Sequence, residues 1–228
     1  MNPDNKAYLK VIAYIREQLV REQLAIGNKL PTERELSENL GLSRNSIREA
    51  LRTMENMGII ESRQGSGNYL TGNIEKSFSD SLAMMVLMKQ VSYLEINQLR
   101  RGIEMQSLIL ALQRITEDEL SNIAGLVAQM EHSPPDEETA LDKEFHYAIV
   151  RASGNELMMG IMQALSATCE RVIEHILKQE LNGKKPLLLK THRQIYESLL
   201  HRDLDLGVAS VTAHYDIIDD QLQRDLKP

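Results

Sequence analysis

Residues 30 to 70 read LPTERELSENLGLSRNSIREALRTMENMGIIESRQGSGNYL, and the punctuation of this stretch decides the N-terminal fold. Thr32 opens T-E-R-E with Glu35 three residues on, a capping box that starts a helix. That helix turns Leu36 and Leu40 inward and stops at Gly41. Ser43 caps the next helix, whose Ile47, Leu51 and Met54 make a buried stripe. Two short helices joined by a tight glycine-containing turn form a helix-turn-helix. After Gly58, the run IIESRQGSGNYL predicts two short strands around a Gly-rich turn, a wing. Upstream, residues 8–24 (YLKVIAYIREQLVREQL) predict a helix burying Leu9, Ile12, Ile15, Leu19 and Val20, with Gly27 and Pro31 interrupting the chain beyond it.

The second helix of the pair shows solvent a first turn of Ser43, Arg44, Asn45 and Ser46, with Arg48 one turn on. In this motif the N-terminal residues of the recognition helix meet base edges in the major groove. Arginine pairs bidentately with guanine and asparagine with adenine, while serine and a helix N-terminus suit phosphate. Arg34 could reach the flanking backbone, and Gly65 and Gly67 would let wing amides approach DNA closely. The plainer alternative is solvated arginines on a small helical hairpin. The ordered set of stripe helix, capped helix, glycine turn, Arg/Asn/Ser-rich helix and Gly-rich hairpin favours DNA.

The segment LPTERELSENLGLSRNSIREALRTMENMGII followed by QGSGNYL resembles the N-terminal signature of the GntR family of bacterial transcription regulators, over about the first 70 residues. The resemblance implies that Arg34, Arg44 and Arg48 are operator-contacting arginines. It places Ser43, Asn45, Ser46, Gln64 and Gly65 at the family's other contact positions. Asn45 stands where members vary, so the operator sequence does not follow.

Composition at first argues the other way. The 228 residues carry a formal net charge of -7, which speaks against nucleic acid. Split at Gly72, however, the first part holds 10 Lys/Arg and 9 Asp/Glu, a net of +1, while the rest holds 16 and 24, a net of -8. The field over the first part is therefore set locally. We expect a DNA-binding domain over residues 1–72 and a second domain over 73–228, with the boundary in TGNIEKS. Aromatics are 4% and Trp is absent, a helical balance. The single Cys, Cys169, excludes a disulfide scaffold and a multi-thiolate zinc site. No apolar run approaches ~18 residues and the first residues are polar, so neither a membrane span nor a signal peptide is expected. A cytoplasmic protein follows.

From Ser77 the pattern predicts helices near 77–90, 92–113, 117–131, 137–153, 156–181, 186–201 and 204–225, an all-helical bundle with breaks at Pro134-Pro135, Gly154 and Gly183 to Pro186. The fold class is thus mainly α: a winged helix-turn-helix with a small β-hairpin, plus a helical bundle. At about 100° per residue, with Leu141 at zero, Phe145 falls at about 40° and Ile149 at about 80°. Asp142 at about 100° and His146 at about 140° lie in the same apolar sector, opposite Lys143, Glu144 and Arg151. His192 lies between Ile195 and Tyr196 on its helix. His214 sits at the edge of a stripe of Val208, Val211, Tyr215 and Ile218. His201 reads as solvated, His175 shares a side with Arg171 and Lys178, and His132 precedes a Pro-Pro turn. One Asp and three His converging from three helices would suit a transition metal: zinc foremost, with nickel, manganese or iron as alternatives. Separate hydrogen-bonded core residues are the competing explanation.

The runs LRRGIE, LDKEFHYAIVRASGN and THRQIYESLLHRDLDLGVASVTAHY look like the FCD ligand-binding domain of the FadR-like GntR branch. The resemblance implies one divalent ion per chain on Asp142, His146, His192 and His214, and an effector carboxylate on Arg100. Arg101 competes with Arg100 for the inward position, and helical phase alone leaves both open. Relatives without the ligand set bind an acyl-CoA, which makes a metal-free regulator of an acyl ligand the first alternative. After Glu104 the run MQSLILA departs from the family's usual small pair. The expectation is a regulator, a repressor foremost, binding a pseudo-palindromic operator as a homodimer under control of a small organic acid. A metal-dependent enzyme is the rival from another class. It would need a general base near the ion, and none has a clear signature.

Overall fold

A computed structural model describes residues 3–72, 75–134, 137–179 and 185–225, with side chains described within 7–168 and 185–223. The chain divides into two compact units, Met1–Phe78 and Ser79–Pro228.

The first unit holds α1 (Pro3–Val20), α2 (Glu33–Leu40), α3 (Arg44–Asn56), β1 (Ile60–Arg63) and β2 (Gly67–Leu70). Local chemistry sets the helix ends. Thr32 Oγ1 accepts from Glu35 N at 3.3 Å, and Glu35 Oε2 accepts from Thr32 N at 2.7 Å, closing the capping box of α2. Gly41 ends that helix at φ 62°, a left-handed conformation that suits glycine. Ser43 caps α3 through Ser46 N at 3.1 Å, and Ile47, Ala50, Leu51 and Met54 face the core.

Two details differ from expectation. The first helix ends at Val20, where the sequence predicts Leu24; Glu22, at φ 56°, turns the chain out of the helix. Its core face is Ala7, Val11 and Ile15, at strict i, i+4 spacing, while Leu9, Leu19 and Val20 are exposed, Val20 at 77%. A short apolar helix with residues on several faces leaves the phase ambiguous until its neighbours choose one. The hairpin pairs Ile60 with Leu70 through Arg63 with Gly67. Its β2 strand is held on the other edge by residues 27–30, with Leu30 N donating to Asn68 O at 2.8 Å and Leu70 N to Asn28 O at 2.9 Å.

The second unit is helical: α4 (Glu75–Leu87, whose first turn belongs to the first unit), α5 (Tyr93–Arg114), α6 (Glu117–His132), α7 (Glu138–Ala152), α8 (Glu156–Gln179), α9 (Lys185–His201) and α10 (Leu204–Asp225). Capping boxes at Ser92/Glu95 and Thr116/Glu119 start α5 and α6. The main core joins Leu108, Ala111, Ile123, Phe145, Ile149, Ile195, Leu199, Val211 and Tyr215, from α5, α6, α7, α9 and α10. At Gly207 a methyl would lie 2.6 Å from Leu108 Cδ2 and 3.0 Å from Ser198 Oγ, so a side chain there would force the buried Leu108 and Ser198 side chains of α5 and α9 to shift. The stripe of α10 is rotated from the expected one, for Val208 is 37% exposed and His214 is fully buried. No helix among the described residues is long and apolar enough to cross a membrane. The His175 and Cys169 side chains lie outside the described residues, as do parts of the boundary stretch TGNIEKS and of the Pro-Pro and Gly183 breaks.

Candidate metal centre and DNA-reading surface

On α3, Arg44, Asn45 and Arg48 are exposed, Ser43 is exposed at the cap, and Ser46 is half-buried with its hydroxyl 2.9 Å from that of Ser43. Arg34, exposed at the start of α2, lies 3.8 Å from Glu38. Gln64 and Gly65 stand exposed at the tip between β1 and β2, where Gly65 adopts φ 72°. Arg48 is gripped by Glu33: Nε donates to Oε1 at 3.1 Å and Nη2 to Oε2 at 2.9 Å. That hydrogen bond outweighs partial burial and holds the Glu33 carboxyl below its usual range. The sequence reading did not foresee this clamp, which joins residues 15 apart.

In the second unit the four candidate ligands meet. Asp142 and His146 come from α7, His192 from α9 and His214 from α10, and one potential ligand atom from each lies within 4.8 Å of all the others. The three histidines are 0–3% exposed. Their rings pack at centroid distances of 4.7 Å (His146–His214 and His192–His214) and 5.4 Å (His146–His192). Asp142 Oδ1 lies 3.3 Å from His192 Nε2 and 3.7 Å from His146 Nε2. A shallow pocket opens onto Asp142 and His192 past Met130, Ser133 and Leu188.

Three further polar residues, not singled out from the sequence as site residues, surround this centre. Glu104 on α5 is fully buried, with Oε2 2.7 Å from His146 Nδ1. The ring N–H is poorly aligned with that oxygen, so the contact is an ion pair before it is a hydrogen bond. Tyr215 OH donates to the same Oε2 at 2.8 Å. Thr191 Oγ1 lies 3.1 Å from His214 Nδ1 and donates to Leu188 O at 2.7 Å. The signals were in the sequence: Glu104 stands one turn after Arg100, and Tyr215 adjoins His214. Arg100 is 3% exposed on the buried face of α5, while Arg101 turns outward to Asp216 at 2.7 Å. Of the two arginines, then, Arg100 is the inward one.

The centre's field favours a cation. Burial pushes the Asp142 carboxyl up, but the His146 charge, with His146 and His192 both facing the carboxylate, outweighs it and holds Asp142 well below the usual range. Burial alone would lower His146; Glu104 and Asp142 instead raise it to about 9. Burial, with the neighbouring His192 and His146, drives His214 well below the ordinary histidine value, so it is a neutral imidazole. Burial and the Glu104 charge push the Tyr215 hydroxyl well up. His192 Nε2 and His214 Nε2 are buried with no hydrogen-bond partner. Unsatisfied nitrogens of this kind are costly unless something fills the space between them. Two imidazole nitrogens without partners, a third imidazole and a carboxylate are a donor set that fits a divalent transition metal.

A winged helix followed by a helical unit with such a centre is the build of a DNA-binding transcription regulator. Residues 7–70 match the family of bacterial regulatory proteins called gntR, and residues 95–217, more than half of the chain, match the FCD domain. The chain belongs to the GntR family of bacterial transcription regulators, in the group that carries an FCD domain. It is 29% identical over 205 residues to the HTH-type transcriptional regulator LutR of Bacillus subtilis, covering 88% of this chain and 94% of that protein. It is 23% identical over 204 residues to the galactonate operon transcriptional repressor of Escherichia coli, covering 86% and 88%. A solved GntR structure from Streptococcus agalactiae superposes with a TM-score of 0.71 at 27% identity, covering 94% of this chain and 99% of that one. The family and these relatives are regulators, not enzymes.

Proposed function

We propose that this chain is a homodimeric repressor whose affinity for a pseudo-palindromic operator is set by a small organic acid bound at a divalent metal ion. Arg34, Ser43, Arg44, Asn45, Ser46 and Arg48, with the wing tip at Gln64 and Gly65, would make the DNA contacts, paired half-sites mirroring two-fold protein symmetry. Asp142, His146, His192 and His214 would hold the ion, zinc foremost. When bound, it would supply Lewis-acid ligation of an effector's carboxylate or hydroxyl oxygens. Arg100 would clamp the effector's carboxylate from α5. The convergence of the four ligand atoms within 4.8 Å in a buried setting is the observation that carries the metal reading. A hydroxy acid is supported as the effector class by the E. coli relative, which is named for a galactonate operon. Effector binding must favour one of two packings of the helical domain, and the operator the same or the other one, for the two sites to be coupled. Work on operator DNA belongs in the cytoplasm.

Elemental analysis tests the first half of this reading: one divalent ion per chain is expected, and folded protein that takes up none from excess zinc overturns it. Fluorescence anisotropy on the protein's own upstream DNA tests the second. Sugar acids and short hydroxy acids are expected to shift operator affinity in the metal-loaded protein and not after chelation. No shift by any of them removes the hydroxy-acid assignment.

A further inference from the structure

The candidate ligands differ in what stands behind them. The Thr191 hydroxyl hydrogen is committed to Leu188 O, at 2.7 Å. Its oxygen can therefore only accept from His214, whose Nδ1 must carry the proton. A neutral imidazole with hydrogen on Nδ1 has its lone pair on Nε2, the atom left without a partner in the buried centre. Glu104 acts similarly on His146: a carboxylate only accepts, so its approach to Nδ1 at 2.7 Å favours hydrogen on that nitrogen and turns Nε2 toward Asp142. Tyr215 pins that carboxylate in turn. His192 has no such support behind it, since its Nδ1 is buried without a hydrogen-bond partner while its Nε2 faces the fellow ligand Asp142 at 3.3 Å. It also lines the pocket that reaches the centre.

We propose that Thr191 and Glu104 are positioning residues that fix the ring tautomers of His214 and His146 for metal binding, and that His192 is the ligand left free to adjust. The inference rests on the metal reading above and adds residues to it. Outer partners of this kind orient the ring and raise its basicity, and their loss weakens metal binding by about 10–100-fold. The centre thus has a fixed half, backed by α5 and by Thr191 of α9, and an adjustable half facing the pocket.

The test is a cobalt(II) titration of the full-length protein, followed by visible absorption and by competition with zinc. Thr191→Val keeps size and shape but removes the acceptor. It is expected to bind cobalt about tenfold more weakly, with altered band intensities reporting a changed geometry. Thr191→Ser, which keeps the hydroxyl, is expected to restore wild-type affinity and spectrum. Wild-type binding and spectrum in Thr191→Val overturn the role of Thr191, as does failure of Thr191→Ser to rescue. If Thr191→Val does not fold, Glu104→Gln carries the same test, with weakened binding expected and unchanged binding overturning the proposal. Failure of the wild type to bind cobalt or zinc is a distinct result: it overturns the metal reading itself and this inference with it.

Discussion

Arg44 on α3 projects into solvent, whereas Arg100 on α5 is 3% exposed within a helical core. The same contrast runs through both units. In the first, the buried core is apolar around Leu36, Ile47 and Met54, and the polar residues of interest lie on its outside. In the second, Asn97, Arg100, Glu104, His146, His192 and His214 are themselves buried. A surface that meets a large external partner can keep its charges hydrated until contact. A centre that takes a small ligand must desolvate its polar groups in advance, and each then needs an internal partner. Substitutions should therefore separate function from stability in the first unit and couple them in the second.

The largest effect expected is at Glu104. Removing this buried carboxylate in Glu104→Ala strands His146 and Tyr215, and should cost about 3–5 kcal/mol in urea unfolding of the metal-free protein. A cost near that of a surface change would erase the contrast. Next, Arg44→Ala should weaken operator binding by about 1–3 kcal/mol, roughly 5- to 150-fold, and lessen its salt dependence. Its unfolding free energy should stay within about 0.5 kcal/mol of wild type; a large stability loss would mean that α3 is not simply a displayed surface. Packing offers a third comparison. Gly207→Ala, facing Leu108 and Ser198, should destabilise by about 1–3 kcal/mol. Gly102→Ala, with open space around it on α5, should stabilise by about 0.4–1 kcal/mol, both read from denaturant midpoints. The smallest effect belongs to Glu33. Its carboxyl is held below the ordinary range by Arg48, so the pair's contribution is present above the unfolded carboxylate value and is lost as pH falls through the lower folded one. Because the pair is largely solvated, Glu33→Gln should cost only about 0.2–0.5 kcal/mol at neutral pH, and less in acid.

Much of this was legible in the residues. The capping box at Thr32, the N-cap at Ser43 and the glycines of the wing are local signals, and the structure follows them. Asp142 and His146 share a face by helical phase alone. That His192 and His214 join them depends on how α9 and α10 pack, which no single helix encodes; the family resemblance supplied it. Phase misjudged α1, where Val11 rather than Leu9 is buried, because apolar residues lie on several sides. Glu104 and Thr191 escaped notice because a polar residue acquires meaning only from its partner on another helix. Arg100 and Arg101 differ by one position, so only the packing of α5 against α10 could choose between them.

The spacing of Arg100 and Glu104 has a mechanical consequence. They stand four residues apart on one face of α5, about 6 Å along its axis. The inward arginine and the carboxylate behind His146 therefore share one rigid element. The same helix is tied to α10 through Asn97 with Asp219 and Arg101 with Asp216. An anion held by Arg100 and an ion held beside His146 would both be read by this one helix.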